Sequence, residues 1–389
     1  MRPAYLTLVA FLALWPTLSP CATPADTIPI TFSQGRILLP VEVGGQSHRF
    51  VFDTGCSCGL LFTDRALPLK SGGLFSFALV SDAAGHVKLT RRKRIADLRI
   101  GGMTLKRYPV IVSPPSSMMR QEYDCQGIVG CIGSDLFDKR GQAVKIDVRA
   151  GRMVVSSDPS LFAHEEGFRI PFDTDLHVPY VNVKTRADKE RRYMFDTGFP
   201  GIITVRAKDL LDIDTLDTAV GATNAGIYGR SRLQSIAKIH LDSLSIGGCV
   251  FRDITTNVQS SNTSSIGSLL LKYGTVVIDY KHHTLIYQPY AYDHGITIGN
   301  QYHHVVLMYD GGSYKVTLVW EDTDAWRRGI RPGDRLTHID GINIEDTPCA
   351  YMNLDMSQDH TLTLVSESGE EKELSIHRIK KEERRPIER

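Results

Sequence analysis

Two copies of one short motif place two aspartates in matching surroundings. The copies are Phe52-Asp53-Thr54-Gly55 and Phe195-Asp196-Thr197-Gly198. At ordinary residue usage about 0.1 Asp-Thr-Gly matches are expected by chance in a chain of this length, so a matched pair indicates a shared role. Two carboxylates held side by side cannot both ionise, so they share one proton and act as general acid and general base on one water. The pair therefore predicts hydrolysis without a metal ion or a covalent intermediate.

The residues after each aspartate are suited to holding two turns together. Thr54 and Thr197 can supply hydroxyl and backbone hydrogen bonds. Gly55 and Gly198 permit close backbone approach and φ values closed to other residues. The alternative is that each Asp-Thr-Gly is only a polar turn that closes a strand. The duplication favours the catalytic interpretation.

The segments around the two motifs match each other as well. A short β-prone run precedes each copy, so each aspartate is expected where a buried strand ends and a tight turn begins. Further segments match in the same order: 39–43 with 178–183, 95–102 with 239–248, 132–136 with 266–270, and 145–148 with 277–280. A repeat of this size predicts a duplicated all-β lobe rather than a short-period solenoid.

Over about residues 30–290 this arrangement resembles the pepsin and retropepsin clan of aspartic peptidases. The resemblance implies an all-β fold of two fused lobes, with Asp53 and Asp196 as the catalytic pair. In that clan an apolar-apolar-Gly segment of each lobe packs beside the aspartate turn. Ile128-Val129-Gly130 matches this segment in the first lobe, and Ser265-Ile266-Gly267 matches it in the second. The chain also resembles bacterial retropepsin-like proteins in which a PDZ domain follows the two fused lobes.

Two positions depart from the family pattern. The family places a small residue such as Ala or Ser after the glycine of the motif, whereas this chain has Cys56 and Phe199 there. A cysteine is small enough to be tolerated. Phe199 instead predicts a reshaped turn, a ring that blocks the cleft, or a lobe that has lost its chemistry.

The family also covers its cleft with a hairpin flap. Residues 75–88 and 223–232 are the candidates by position. Gly85 and Gly226 are expected at the two hairpin tips.

Length and composition are those of a folded protein with several domains. The chain has 389 residues, of which 42% are hydrophobic, and this is enough for two or three cores. The predicted segments are a signal peptide at 1–25, lobe one at 30–160, lobe two at 165–292, a PDZ domain at 298–379 and a charged tail at 380–389. A net charge of +1 gives no indication of a nucleic-acid partner. No cofactor is expected.

The PDZ domain is predicted from one run of residues. Residues 316–342 resemble the part of a PDZ domain in which a short helix leads to a Pro-Gly-Asp turn and then to an alternating strand. The turn is Arg331-Pro332-Gly333-Asp334. The resemblance implies that the domain binds an extended peptide along an exposed strand edge. The alternative is a domain that only packs against the lobes.

The N-terminus is typical of an export signal. Arg2 precedes an apolar stretch at 5–15, and small residues in Thr23-Pro24-Ala25 favour cleavage after Ala25. A lipid anchor at Cys21 is the alternative, although Pro20 fits a lipoprotein box poorly. No other run approaches the ~20 apolar residues of a membrane helix. The mature protein is therefore expected in the periplasm or at the cell envelope.

The seven cysteines bear on both the compartment and the site. If Cys21 leaves with the signal, lobe one keeps four: Cys56, Cys58, Cys125 and Cys131. The resemblance places Cys131 near the Asp53 turn, so at least one disulfide is expected there, between one of the first two and one of the last two. A zinc site is the alternative, although C-x-C and C-x₅-C differ from the usual ligand spacing. Cys249 and Cys349 are expected to be buried without partners.

Together these features predict an exported aspartic endopeptidase that cleaves proteins or peptides. Because one chain carries both aspartates, a monomer is expected to suffice. The alternative is a non-catalytic exported protein that keeps the cleft and only binds peptides. A serine protease is disfavoured because the chain has no Gly-x-Ser-x-Gly sequence.

Overall fold

The computed structural model describes residues 25–376 apart from residues 63–66, 68, 72–75, 186–189, 210–214, 223–224, 233, 260–262, 300–304, 322, 348 and 355–357. The first 24 residues of the predicted signal peptide, which include Cys21, and the predicted tail lie outside the described residues. The described chain consists mainly of β-strands, which confirms the all-β class. No helix in it is long and apolar enough to span a bilayer.

The first half of the chain forms strands with two short helices between them. Its elements are β1 (Asp26–Pro29), β2 (Thr31–Ser33), β3 (Arg36–Val43), β4 (Gln46–Asp53), β5 (Leu60–Leu61), β6 (Leu69–Ser71), β7 (Phe77–Ser81), β8 (Val87–Ile100), β9 (Met103–Val112), α1 (Ser117–Gln126), β10 (Ile128–Gly133), α2 (Asp135–Asp138), β11 (Ala143–Asp147) and β12 (Arg152–Ser156). The side chain of Ser116 caps the start of α1 by accepting from the amide of Met119. Gly127 ends the helix at φ 67°, a left-handed conformation that favours glycine.

The sheet of the first half brings the end of β4 against β10. Its strand order is β2-β3-β4-β10-β5-β9-β8-β6, with β7 also paired to β8. A turn at Gly44 and Gly45, both at positive φ, returns the chain from β3 into antiparallel β4. β10 then lies parallel to β4, with Gly133 opposite Asp53. Asp53 thus stands at the end of a strand, as predicted.

The second half repeats this plan. Its elements are β13 (Phe168–Asp175), β14 (Val178–Lys184), β15 (Glu190–Asp196), β16 (Ile203–Arg206), β17 (Thr215–Gly221), β18 (Ala225–Gly226), β19 (Gly229–Arg230), β20 (Gln234–Ile246), β21 (Cys249–Gln259), β22 (Ser265–Gly267), β23 (Gly274–Asp279), β24 (Thr284–Pro289) and β25 (Ile296–Gly299). The order β13-β14-β15-β22-β16-β21-β20-β17 matches the order of the first half strand by strand. β22 lies parallel to β15, with Gly267 opposite Asp196. The two aspartates therefore occupy equivalent positions.

A further run of strands joins the two halves. Its order is β1-β12-β11-β23-β24-β13, in which β11 pairs antiparallel with β23. Val144 and Ile146 of β11 face Ile278 and Val276 of β23, and all four side chains are inaccessible to solvent. Burying each of them contributes about 1.5–3 kcal/mol. The halves thus share one hydrophobic core. The joining sheet begins at Asp26, before the predicted start of lobe one at residue 30.

The C-terminal residues form a separate sheet with its own core. Its elements are β26 (Val305–Asp310), β27 (Ser313–Val319), α3 (Asp324–Arg327), β28 (Arg335–Ile339), β29 (Ile342–Asn343), β30 (His360–Val365) and β31 (Glu371–Ile376). The order is β26-β27-β28-β30-β31, with β29 on β28. Val316, Leu336 and Leu362 lie in its core. The Asp334 carboxylate accepts from the amide of Arg331 at 3.0 Å, which closes the predicted turn. We call this unit the C-terminal domain, and its PDZ identity stays a prediction.

A disulfide ties the C-terminal domain to the first half. Cys125 at the end of α1 is bonded to Cys349. The prediction of a bridge at the Asp53 turn is therefore wrong, and so is the prediction that Cys349 has no partner. The reason is that α1 carries Cys125 to the face that contacts β26, whereas Cys56, Cys58 and Cys131 stay beside the turn as free thiols. Cys249 is a buried free thiol, as predicted.

The C-terminal domain also contacts the second half. The carbonyl oxygen of Thr317 in β27 accepts from the amide of Ala222 at 3.2 Å, and the hydroxyl of Thr317 donates to the Ala222 carbonyl at 3.1 Å. Trp320 is fully buried in a small cluster with Ala219 and Ile236 of the second half. The domain is therefore packed against both halves.

Candidate active site

The two aspartate turns have the same backbone structure. In the first, the amide of Gly55 donates to the Asp53 carboxylate at 2.9 Å, and in the second the amide of Gly198 donates to the Asp196 carboxylate at 2.9 Å. Each turn closes with a 3.2 Å hydrogen bond to the aspartate carbonyl, from the amide of Cys56 in one and of Phe199 in the other. The two turns are therefore equivalent in their hydrogen bonds as well as in their sequence.

The side chains of Asp53 and Asp196 meet between the halves and are hydrogen-bonded to each other. Each carboxyl group lies over the glycine of the opposite turn. A methyl group added to Gly55 would come within 2.5 Å of an Asp196 carboxylate oxygen, and one on Gly198 would overlap the Asp53 carboxyl group. Neither glycine has a positive φ. Space, rather than the unusual φ values that we expected, therefore requires glycine at these positions.

The two threonines of the motif bind each other across the same junction. The amide of Thr54 donates to the Thr197 hydroxyl at 3.0 Å, and the amide of Thr197 donates to the Thr54 hydroxyl at 2.9 Å. The hydroxyl of Thr54 in turn donates to the carbonyl of Phe195 at 2.6 Å, and that of Thr197 donates to the carbonyl of Phe52 at 2.8 Å. Both side chains are fully buried. These bonds hold the two turns at a fixed separation.

Burial raises the pKa of both carboxyl groups above their ordinary value of 3.8. The pKa of Asp196 rises well above that value, because burial is reinforced by the negative charge of Asp53 and by the hydrogen bond between them. Burial is also the largest cause at Asp53, but the hydrogen bond with Asp196 and the Gly55 and Cys56 amides oppose it. The pair titrates as a unit with one shared proton.

The site contains a charged residue that the sequence did not indicate. Arg36 at the start of β3 is 8% exposed and forms an ion pair with Glu122 of α1. Its positive charge lowers the pKa of Asp53 and so favours the ionised form of that carboxyl group. No motif marks Arg36, because its nearness to Asp53 depends on how β3, β4 and α1 pack together.

Comparison with known families agrees with this geometry. Residues 39–136 match the model of the family described as aspartyl protease. The matched stretch contains the Asp53 turn and all of β10. No curated protein matches the chain. The match supports an aspartyl protease, and it covers the first of the two equivalent halves.

The glycine that lies opposite Asp53 is not the one predicted for the first half. We predicted Ile128-Val129-Gly130 as the segment beside the Asp53 turn. In the register of β10 on β4, Gly133 rather than Gly130 lies opposite Asp53. A methyl group on Gly133 would overlap the carbonyl oxygen of Cys56. Gly267 has the same relation to the second turn.

The structure shows how Phe199 is accommodated. Its amide makes the same turn hydrogen bond as Cys56, so the backbone is not reshaped. The ring packs over Gly201 and Gly267, where side chains other than hydrogen would collide with it. Its carbonyl oxygen accepts from the amide of Ser268 at 3.0 Å. The two glycines therefore provide the room that the large ring needs.

Both predicted flap segments form hairpins, and the hairpins meet. In the first, β7 and β8 are joined by a turn that contains Gly85 at φ 83°. In the second, β18 and β19 are joined through Ile227 and Tyr228, so Gly226 ends a strand instead of forming the tip. Residue 75 of the first segment and residues 223–224 of the second lie outside the described residues.

Contacts between the hairpins link the two halves. The carboxylate of Asp82 in the first hairpin accepts from the amide of Tyr228 in the second at 2.9 Å. Lys88 lies 4.3 Å from the centre of the Tyr228 ring. Ile227 and Val80 join the same apolar cluster as Cys56 beside the Asp53 turn. The region next to the aspartate pair is thus covered from both halves.

Proposed function

We propose that the protein is an aspartic endopeptidase in which Asp53 and Asp196 activate one water between them. The observation that carries the proposal is the hydrogen-bonded pair of carboxyl groups at equivalent strand ends, with the pKa of both raised. One shared proton makes such a pair an acid and a base at once. The match of residues 39–136 to an aspartyl protease family supports the same conclusion.

The asymmetry of the pair suggests which carboxyl group performs which step. We assign the base to Asp53, because the charge of Arg36 favours its ionised form. Asp53 takes a proton from the water, while protonated Asp196 donates its proton to the carbonyl oxygen of the scissile peptide bond. The water oxygen bonds to the carbonyl carbon and gives a neutral gem-diol. The proton on Asp53 then passes to the leaving nitrogen, and Asp196 recovers a proton from the diol as the C–N bond breaks. The pair ends with one proton, as it began.

One chain supplies the whole pair, so we propose that the monomer is active. The strands β11 and β23 join the halves through a shared core, so the chain assembles the pair by folding. Activity per molecule should therefore be independent of protein concentration, whereas a steep loss on dilution would contradict a monomeric site.

The test of the function is cleavage of an unbiased peptide library by the mature protein from acid to neutral pH. Asp53→Asn and Asp196→Asn should each abolish cleavage, and a statine inhibitor should block the wild type. Asp293→Asn is the matched control, because that side chain is 99% exposed. Cleavage that survives either active-site substitution would exclude the mechanism. Peptide binding without cleavage by the wild type would favour the non-catalytic alternative.

We also propose that the protein is exported. The Cys125–Cys349 disulfide supports an oxidising compartment, where such bonds persist. Sequencing the N-terminus of protein from whole cells should give Asp26 as the first residue. A lipid-modified Cys21 would instead indicate an anchored form.

For the C-terminal domain we propose a role in holding the two halves, in preference to free peptide capture. α1 packs against β26, and the disulfide fixes this contact. Peptide capture by strand addition needs an accessible strand edge. A peptide-array experiment should find little binding by the oxidised protein, and strong binding there would restore the PDZ function predicted from the sequence.

A further inference from the structure

Free thiols cluster beside one member of the aspartate pair. Cys56 closes the Asp53 turn, and Cys131 lies in β10, the strand parallel to β4. The thiol of Cys56 donates to the carbonyl oxygen of Cys58 at 2.9 Å. A carboxylate oxygen of Asp53 and the sulfur atoms of Cys56 and Cys131 all lie within 4.8 Å of one another. In the described part of the chain this is the one group of three such donors.

These three donors form the set that a thiophilic divalent cation prefers. Zn²⁺ binds thiolate sulfur at about 2.3 Å and carboxylate oxygen at about 2.0–2.2 Å, usually with tetrahedral geometry. In such a site two sulfur ligands are about 3.7 Å apart. Each donor therefore has to move by about 1 Å or less from its present place to contact a common ion.

The donors of this group differ in burial and in the elements that carry them. Cys56 and Cys58 are half-buried, whereas Cys131 is 2% exposed on a central strand. The sheet holds the Cys131 sulfur in place, whereas Asp53 and Cys56 belong to the aspartate turn. Cys58 lies in the same turn, and its carbonyl oxygen accepts from the Cys56 thiol at 2.9 Å, so Cys58 is a candidate additional donor.

We propose that Asp53, Cys56 and Cys131 form a binding site for Zn²⁺ or a similar thiophilic divalent cation. On binding, both thiols release their protons to solvent and form two metal–sulfur bonds, while Asp53 contributes one oxygen. No change of oxidation state is involved. The fourth position is left to Cys58 or to water.

The site has a consequence that rests on the proposed function. An ion held by the Asp53 carboxylate prevents that group from taking a proton from water, so occupancy should inhibit hydrolysis. The binding itself does not depend on peptidase activity and can be measured without it. A failure of either proposal is therefore distinguishable from a failure of the other.

The experiment is a Co²⁺ titration of the mature protein under argon and without reductant, so that the Cys125–Cys349 disulfide stays intact, read by the thiolate-to-cobalt charge-transfer absorption. We expect one Co²⁺ per chain, displaced by Zn²⁺, with the absorption lost in Cys56→Ser and in Cys131→Ser. Cys249→Ser is the matched control, because that free thiol is also buried but lies apart from the cluster, and it should bind Co²⁺ as the wild type does. In Asp53→Asn the affinity for Co²⁺ should fall by at least ~10–100-fold, because losing a group that only supports a ligand already costs that much and Asp53 would be a ligand itself.

Three results would overturn the site. The first is the absence of charge-transfer absorption in wild-type protein whose thiols are shown by alkylation to be free. The second is absorption that persists in Cys131→Ser, with Cys131→Ala as a further variant in case the serine disrupts the buried strand. The third is a Cys56–Cys131 disulfide in the purified mature protein, because that bond would consume both sulfur ligands.

Discussion

Thr54 and Thr197 bind each other through reciprocal hydrogen bonds, at 3.0 Å in one direction and 2.9 Å in the other. Each hydroxyl is both an acceptor from the opposite amide and a donor to a carbonyl of the opposite half. The arrangement follows the symmetry of the two halves, and every polar group in it is satisfied. Because the threonines adjoin Asp53 and Asp196, these bonds fix the spacing of the carboxyl pair.

Replacing Thr54 by valine should destabilise the protein and impair cleavage. The change keeps the volume but leaves the buried amide of Thr197 and the carbonyl of Phe195 without partners, at a cost of about 2–6 kcal/mol for the two groups. Urea unfolding gives the free-energy change. Thr54→Ser keeps the hydroxyl and should retain most of the stability, so equal stability of the valine and serine variants would show that the hydrogen bonds contribute little.

Replacing Asp196 by asparagine should stabilise the protein at neutral pH. The pKa of Asp196 is raised on folding, so the unfolded chain releases its proton at lower pH than the folded protein does. The stability of the wild type should therefore be greatest below about 3.8 and fall as pH rises towards the folded pKa. Asparagine does not ionise, so the variant does not lose stability in this way as the pH rises. Its melting temperature should therefore exceed that of the wild type at neutral pH but not in acid.

Differential scanning calorimetry from about pH 3 to about pH 8 tests this dependence. Asp293→Asn is the exposed control and should follow the wild type at every pH. A constant difference between Asp196→Asn and the wild type across the range would show that proton linkage is not its cause.

Removing the charge of Arg36 should move the acid limb of the activity profile to higher pH. The guanidinium group lowers the pKa of Asp53, so its loss lets that carboxyl group hold its proton longer. Because Arg36 is paired with Glu122, the appropriate variant is the double substitution Arg36→Gln/Glu122→Gln, which does not leave the half-buried carboxylate of Glu122 without its partner. The measurement is kcat/KM against pH.

Arg36→Lys keeps the charge and serves as the control. Its acid limb should stay close to that of the wild type. If the double variant also keeps the wild-type acid limb while losing only overall rate, then Arg36 acts by supporting the fold and not through its charge.

A methyl group at Gly198 should abolish cleavage with only a moderate effect on folding. It would collide with the Asp53 carboxyl group and force the pair apart. Gly102→Ala is the matched control, because the nearest atom to its new methyl group, on Asp26, would be at an ordinary 3.5 Å and its φ is not positive. Peptide cleavage and melting temperature should be measured for both, and a fully active Gly198→Ala protein would mean that the pair does not need its present spacing.

The features that the sequence predicted well are the ones carried by short segments. The aspartate turns and the repeated strand order follow from the duplicated motif and its flanking runs. The Cys125–Cys349 bond could not be predicted in this way. Its partners are far apart in sequence and meet only when the C-terminal domain packs against α1. The role of Gly133 was missed for a similar reason, because three residues in the register of β10 decide which glycine faces Asp53.

Removing the disulfide should weaken the attachment of the C-terminal domain. In Cys125→Ser/Cys349→Ser the bond that closes a loop of 224 residues is absent, and such bonds contribute about 2–5 kcal/mol. Trp320 reports the outcome, because it is buried against Ala219 and Ile236 of the second half and becomes exposed if the domain separates. Its fluorescence should shift to the red at a lower urea concentration than in the wild type. Reductant should lower the wild-type midpoint to that of the double variant and leave the midpoint of the variant unchanged. Identical midpoints of the two proteins without reductant would mean that the contacts at Thr317 and Trp320 hold the domain by themselves.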